Sequence, residues 1–390
     1  MDKCLIFEAG HTGHRTEYVL HLMKFINNNP ALHGKYVFAL DEKIRDAVLT
    51  LGSGNGFSVV YRSFQKKYRH SLEMSLWRWE QLAPVLSGQP DIKEILFLEL
   101  DPYLFLINLR RFRKFNLRVS GILFQPYPHF KARAGGIRFF FGVFLKNYLS
   151  QKIVFALNAR IQRCFILNDR ASVGLMNKKI KDIFYFLPDP IDDDIPVVDM
   201  VTMAKTVTKY RIDKSRNVLL LFGQIDERKN LINILDALRL FPDQLRSRLS
   251  LVIAGRFKET VREKYIQHID KYRDELSVVY NDGFVTDEER EALFQVCDLV
   301  FMPYINFYSS SGVLGHAIRH GKPVIVSATG LLREIVAEYH AGIAVDPLNI
   351  VEMQEAANQL LFAEKRPEYD SREFIEQHKP FNFSKLLLKS

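Results

Sequence analysis

Residues 304–336, YINFYSSSGVLGHAIRHGKPVIVSATGLLREIV, decide how this chain reads. The order is a strand end, a Ser/Gly loop, a short helix, a Gly turn, a buried strand and a helix start after Gly330. Ser309, Ser310, Ser311 and Gly312 open the first helix, with Val313 and Leu314 in its first turn. A helix N-terminus carries free N–H groups and a partial positive charge, so this loop is a candidate cradle for a phosphate or a sugar hydroxyl. Small residues let a ligand approach the backbone closely. Read alone, the serines serve equally well as N-caps and the glycines as turn residues. The neighbouring sequence decides between the two.

Strand-like and helix-like segments alternate on the N-terminal side of this stretch. Val218–Phe222, Ser250–Ala254, Val278–Tyr280, Asp298–Met302 and Pro323–Ser327 read as strands. Leu231–Leu240, Thr260–Leu276 and Asp287–Cys297 read as helices, the last with Thr286 as N-cap. Cys4–Glu8, Lys35–Leu40, Glu94–Leu98, Val119–Phe124 and Arg163–Leu167 form an earlier set of strands. Helices are expected over Glu17–Ile26 and Ser71–Ala83, the second ended by Pro84. A linker spans roughly Leu187 to Asn217, with three prolines and the acidic run Asp192–Asp194. Strands alternating with helices predict parallel sheets covered on both faces. Two such doubly wound units in sequence predict a ligand cleft between them.

Length and composition agree. A chain of 390 residues exceeds one ordinary core, so two domains are expected. With 47% hydrophobic and 25% charged residues, both read as globular and soluble. Cys4, Cys164 and Cys297 lie far apart, with no zinc-ligand spacing and no disulfide framework, which suits a reducing cytoplasm. MDKCLIFEAGHTGH reads as a first strand rather than a signal peptide, and no uncharged apolar run reaches a membrane span. His11, His14 and His21 lack the spacing of a zinc site, and Asp192–Asp194 reads as a solvated linker rather than a metal motif. Trp79 reads as core.

Charge is uneven. The first 190 residues carry a net +13, the remaining 200 a net −4. Between Pro102 and Asn168 stand twelve Lys/Arg and no Asp or Glu, interleaved with aromatic residues. The Arg110–Arg163 region therefore suits an anionic membrane surface. No nucleic-acid motif accompanies it.

In order and spacing, the second half resembles a known family. Leu219–Gly223 is a strand entering a Gly turn, followed by Gln224-Ile225-Asp226-Glu227-Arg228-Lys229-Asn230. Ala254-Gly255 ends the next strand, Asp282-Gly283-Phe284-Val285 precedes a helix, and Gly321-Lys322-Pro323 and Gly330–Val336 close the block. The set, from about Leu219 to Asp346, resembles the donor-binding domain of the retaining glycosyltransferases of family 4. That resemblance implies the GT-B fold: two Rossmann-like domains facing a central cleft. Residues 1–190 would then bind the acceptor, residues 200–370 a nucleotide-diphosphate sugar, and residues 371–390 would pack back toward the first domain. It also implies a sugar transfer with retention, no required metal and no cofactor beyond the nucleotide-sugar co-substrate. The acceptor would be a glycan or a lipid-linked sugar, and the enzyme would be cytoplasmic, at the inner membrane face.

The family transfers a sugar away from a diphosphate, so cations and N–H dipoles facing the leaving group carry the chemistry. Lys229 matches the family's diphosphate-binding lysine, and Gln224 falls where a companion arginine is expected, leaving Arg228 as the nearest cation. Gly223, Gly255, Phe284 and Glu334 align with other donor-site positions. In the first half, Gly13 and His14 fall on the family's Gly-Gly loop, and His129 falls near its acceptor-domain histidine. Two glutamates eight positions apart are usual in the family, and here Tyr308 and His316 take their places. That loss motivates an alternative, a catalytically silent relative that binds nucleotide or glycan as a partner subunit. A nucleotide-sugar epimerase is a third reading of the same architecture.

Overall fold

A computed structural model of the chain describes residues 2–11, 14–51, 56–64, 71–132, 145–191, 196–363 and 371–388. The chain divides into two compact units, one of Met1–Pro190 with Pro380–Ser390 and one of Ile191–Lys379.

The described strands of the first unit are β1 (Lys3–Glu8), β2 (Tyr36–Asp41), β3 (Ser58–Arg62), β4 (Ile92–Phe97), β5 (Arg118–Leu123), β6 (Ile161–Leu167) and β7 (Phe184–Leu187). They form a parallel sheet in the order β3-β2-β1-β4-β5-β6-β7. Central strands are mainly apolar because helices cover both faces: every residue of β2 is buried, for example. The edge strand β3 has no fully buried residue, and its sequence, SVVYR, escapes notice beside the others.

The second unit repeats the plan with β8 (Asn217–Phe222), β9 (Leu249–Ala254), β10 (Val278–Asn281), β11 (Leu299–Met302), β12 (Val324–Ser327) and β13 (Gly342–Val345). Their order is β10-β9-β8-β11-β12-β13, again parallel. In each sheet the chain winds one way from its first strand, then returns to that strand's other side. The resulting switch points lie between β1 and β4 and between β8 and β11. Ligands of such sheets bind beyond the carboxyl ends of the strands at these points.

Three expectations are corrected. The helix from Ser71 runs to Gly88 with Pro84 inside it, because Val85 and Leu86 are core side chains whose burial outweighs the lost N–H. The supposed linker holds a helix, Met200–Lys209, capped by Asp199 through the N–H of Thr202. The tail divides. The Arg372–Gln377 helix sets Phe374 in the core of the second unit, whereas Pro380–Leu388 packs in the first, with Phe383 4.7 Å from Tyr18 and Phe381 5.3 Å from Phe25. Arg163 donates to the carbonyls of Leu386 and Leu387, and Tyr36 to that of Leu388, so the end of this helix is closed by side chains. Trp79 is buried 4.4 Å from Phe112. Asp192–Asp194 and Gly13 lie outside the described residues. Among the described residues, no helix is long and apolar enough to cross a membrane.

Candidate active site

The β8/β11 switch point holds two cations of the second unit, Lys229 and Arg228. Gly223 follows β8 at φ +99° and Gly255 follows β9 at φ +137°. A Cβ on Gly255 would stand 2.0 Å from the Gly223 carbonyl oxygen, so only glycine lets these two turns touch. Asp226 accepts the N–H of Arg228, and Asn230, in the left-handed region, donates to the carbonyls of Pro303 and Pro347. These contacts hold the Gln224–Asn230 loop against the end of β11.

Lys229 is turned inward and only 2% exposed. Its ammonium donates to the Phe222 carbonyl at 2.6 Å and to the Tyr304 hydroxyl at 2.7 Å, and lies 4.3 Å from the Tyr304 ring centroid. Both acceptors are neutral. Burial, with help from the Arg228 charge and against that of Asp226, pulls the Lys229 ammonium down to about 7. A lysine carries three N–H donors, and two are used here. The Gly223 side of Nζ is the near one: a Cβ on Gly223 would lie 3.5 Å from Nζ and 3.9 Å from Val313 Cγ2. The side chain of Arg228 lies over the same aromatic wall, its guanidinium 4.8 Å from the Phe307 ring and 5.4 Å from Tyr304. Gln224 is exposed.

The opening helix runs Gly312–Arg319 with Ser311 at the N-cap position, but the Ser311 side chain does not cap it. That side chain lies instead beside the Tyr304 phenol. Lys229, Tyr304 and Ser311 therefore form one chain of polar contacts. Among the described residues, no side chain accepts from the first N–H groups of the helix, and Gly312 is open to solvent. Leu314 is different: its side chain is core and its N–H bonds the Ser311 carbonyl. Tyr308 is buried, and its backbone packs so closely on Gly330 that a Cβ there would lie 2.9 Å from Tyr308 Cα. Ser310 is half-buried. Glu334 sits in the first turn of the Leu331–Glu338 helix and is exposed. Phe284, after β10, is 79% exposed.

His316 lies one turn into the same helix, above a buried acid that the sequence reading missed. Glu291 accepts from Arg319, from His320 at 2.7 Å and from Arg290 at 3.1 Å. Burial alone would raise its carboxyl. The His320 hydrogen bond and the Arg319 charge outweigh that and hold it at about 2. Burial, then the Arg290 charge, pull His316 down to about 3, so its imidazole is neutral at pH 7. Its Nδ1 is 3.7 Å from Glu291 and makes no hydrogen bond.

In the first unit, His129 Nε2 is 2.6 Å from Asp169 Oδ2. Asp169 also caps the Arg170–Lys179 helix through the N–H of Ser172. Against its burial, the bonds from His129 and Ser172 keep the Asp169 carboxyl below its usual range. An Asp between strand and helix is a visible N-cap signal; its hold on a histidine 40 residues away is not. His14 begins the His14–Asn27 helix. Among the described residues, no group of three or more His, Cys, Asp or Glu could hold a metal ion.

Residues 203–376 match the family model described as Glycosyl transferases group 1, so the second unit carries a domain of that type. The chain is 23% identical over 116 residues to the serotype-specific mannosyltransferase WbdA of Escherichia coli. That match covers 30% of this chain and only 14% of the relative's length. Among solved structures, Anabaena Alr3699/HepE in complex with UDP and glucose aligns with a TM-score of 0.66 at 15% identity, over 100% of this chain and 99% of that one. WaaG, a glycosyltransferase involved in lipopolysaccharide biosynthesis, aligns with a TM-score of 0.66 at 15% identity, over 99% and 98%. Sucrose-phosphate synthase of Thermosynechococcus elongatus aligns at 0.65 and 13%, over 100% and 94%. The fold is thus the GT-B type, two parallel-sheet Rossmann-like domains.

Proposed function

We propose that this protein is a retaining glycosyltransferase of family 4 that moves a sugar from a nucleotide diphosphate to a glycan or lipid-linked acceptor in polysaccharide or glycoconjugate synthesis. One observation carries the reading: Lys229, buried beside the uncapped N–H groups of Gly312 and Val313, has only neutral hydrogen-bond acceptors. A buried ammonium held this way is costly until an anion arrives. The diphosphate supplies that anion. As the glycosidic bond breaks, Lys229, Arg228 and the helix N–H groups meet the charge on the departing phosphate, and the acceptor hydroxyl forms the new bond and passes its proton to the departing phosphate oxygen. Two cations and a helix start facing the leaving group support a reaction without a metal.

The other donor-site residues take supporting roles. His316, neutral at pH 7, offers a ribose hydroxyl a hydrogen bond where the family has a carboxylate. Phe284 offers an exposed aromatic face and Glu334 a polar group beside the Gly330 turn. His129, oriented by Asp169, serves the transferred sugar. The crystal complexes of the Anabaena neighbour with UDP and UDP-glucose favour a uridine nucleotide as the first to try.

The setting we infer is the inner face of a membrane. The Leu145–Leu157 helix exposes Leu149, Ile153 and Leu157 along one stripe, with Lys152 beside it and exposed Arg110, Arg113 and Lys114 in the same unit. Other basic residues of this region have partners inside the fold, Arg111 with Glu80 and Arg160 with the Arg113 carbonyl. Sedimentation with vesicles tests it; equal binding to neutral and anionic vesicles contradicts it.

A thermal-shift screen against UDP-, GDP- and ADP-sugars tests the donor site, since a ligand bound to the folded state raises its melting temperature. One series is expected to stabilise the protein, and Lys229→Ala to abolish the effect. No shift with any of them contradicts the reading. Binding without release of diphosphate favours a silent partner subunit instead.

A further inference from the structure

The first unit has its own switch point, between β1 and β4, and its chemistry is unlike that of the second. Glu8 ends β1 and is 2% exposed. Its Oε1 accepts the Gly10 N–H and lies 3.6 Å from the Arg15 guanidinium, while among the described residues Oε2 has no hydrogen-bond partner. Arg15 bridges from Glu8 to Glu99, beyond the end of β4, at 2.7 Å. The Tyr103 hydroxyl beside them makes no hydrogen bond of ordinary geometry, though the Arg78 guanidinium faces it. Gly10 is what lets Arg15 fold over the loop: a Cβ there would stand 2.2 Å from Arg15 Cδ.

Two buried polar atoms without partners among the described residues, both at a switch point, point to a polar ligand there. The charges say which kind. At β8/β11 Lys229 and Arg228 face the single carboxylate of Asp226, which suits a diphosphate. At β1/β4 two carboxyls, Glu8 and Glu99, face two guanidiniums, Arg15 and Arg78. A balanced set of donors and acceptors has no preference for an anion. It matches a neutral molecule whose neighbouring hydroxyls each donate and accept. Arg15 and Glu99, 29% and 23% exposed, are the members that reach solvent.

We propose that Arg15 and Glu99 form a binding subsite for a vicinal diol of the sugar acceptor, with Glu8 and Gly10 as positioning residues for Arg15. This rests on the glycosyltransferase reading for the identity of the ligand, not for the existence of the site. Glu8 makes the subsite pH-dependent. Burial first, and Glu99 further down, push its carboxyl up to about 7 against the pull of Arg15, Arg78 and the Gly10 N–H. Tyr18 and Tyr103 are the other titratable groups facing it, and both stay neutral, their phenols raised by burial. As pH rises through that range, ionised Glu8 competes for Arg15 and the diol loses part of its hold.

The test uses the full chain with methyl α-mannoside, methyl α-glucoside and methyl α-galactoside as probes, read by saturation-transfer NMR, and pyrophosphate as the anionic control. All three glycosides are expected to bind weakly, and Glu99→Gln to weaken them roughly tenfold while nucleotide-sugar binding, which reports an intact fold, is unchanged. Affinity is expected to fall several-fold from about pH 6 to about pH 8, and to be flat in Glu8→Gln. Absence of glycoside binding, indifference to Glu99→Gln, or pyrophosphate binding lost on Arg15→Gln each overturns the proposal. Glycoside binding without nucleotide-sugar binding would sink the donor reading and leave this subsite standing; the reverse outcome would do the opposite.

Discussion

Raising the pH should loosen the nucleotide-sugar, and Lys229 sets the size of the effect. The side chain is 2% exposed and donates to two neutral oxygens. Its ammonium is pulled from 10.5 to about 7, chiefly by burial. The charged form is therefore present below about pH 7 and lost as pH rises through it, while a bound diphosphate restores the proton. If only the ammonium form binds, the dissociation constant grows by one plus the ratio of neutral to charged lysine. From about pH 6 to about pH 8.5 that is roughly 30-fold, or about 2 kcal/mol. Calorimetry with whichever nucleotide-sugar stabilises the protein best, in two buffers of different ionisation enthalpy, reads both numbers. Binding near pH 7 should take up about half a proton. In Lys229→Arg the slope should vanish, because a guanidinium does not titrate in this range. A flat affinity without proton uptake, or an equal slope in the arginine variant, would refute the reasoning.

Three other predictions concern the packing around the two switch points. The Glu8 carboxyl is raised in the folded state to about 7 from 4.5, so its contribution is fully present below the unfolded value and lost as pH climbs to about 7; Glu8→Gln should remove up to roughly 3 kcal/mol of that pH dependence, measured by urea unfolding at pH 5 and pH 8. Glu291→Ala leaves Arg319 buried without its carboxylate and should cost about 3–5 kcal/mol, against a much smaller loss in an exposed pair such as Arg45–Glu42. Gly255→Ala sets a Cβ against the Gly223 carbonyl at a φ of +137°, so it should destabilise by about 2–4 kcal/mol and weaken donor binding through the displaced Gly223 turn.

Most of the architecture was legible because parallel strands buried on both faces are mainly apolar. Val218–Phe222 and Ser250–Ala254 could be read almost to the residue. The half-exposed edge strands β3 and β13 carry no such signal, and the Met200–Lys209 helix hides among the prolines and acids of an apparent linker. Pro84 shows a local rule yielding to tertiary packing: two core side chains follow it, and the helix continues. At the site, Lys229 could be picked out from motif order. Its burial could not, because that depends on Tyr304, 75 residues later and brought near only by the adjacency of β8 and β11. The Ser311 hydroxyl is the instructive case. Sequence puts a serine at an N-cap position, yet in the folded chain the Ser311 side chain lies beside the Tyr304 phenol and does not cap the helix. Glu8 looked like the end of a strand, and only the folded positions of Arg15 and Glu99 give it a chemical setting.

The most direct measurement of the central claim is release of nucleoside diphosphate by the purified protein supplied with nucleotide-sugars, with and without glycan acceptors, compared with Lys229→Ala. Turnover of at least one donor, slowed roughly 10²-fold or more by Lys229→Ala in a variant that remains folded, is the predicted result. No release from any donor, or release at an unchanged rate in the variant, would contradict the account.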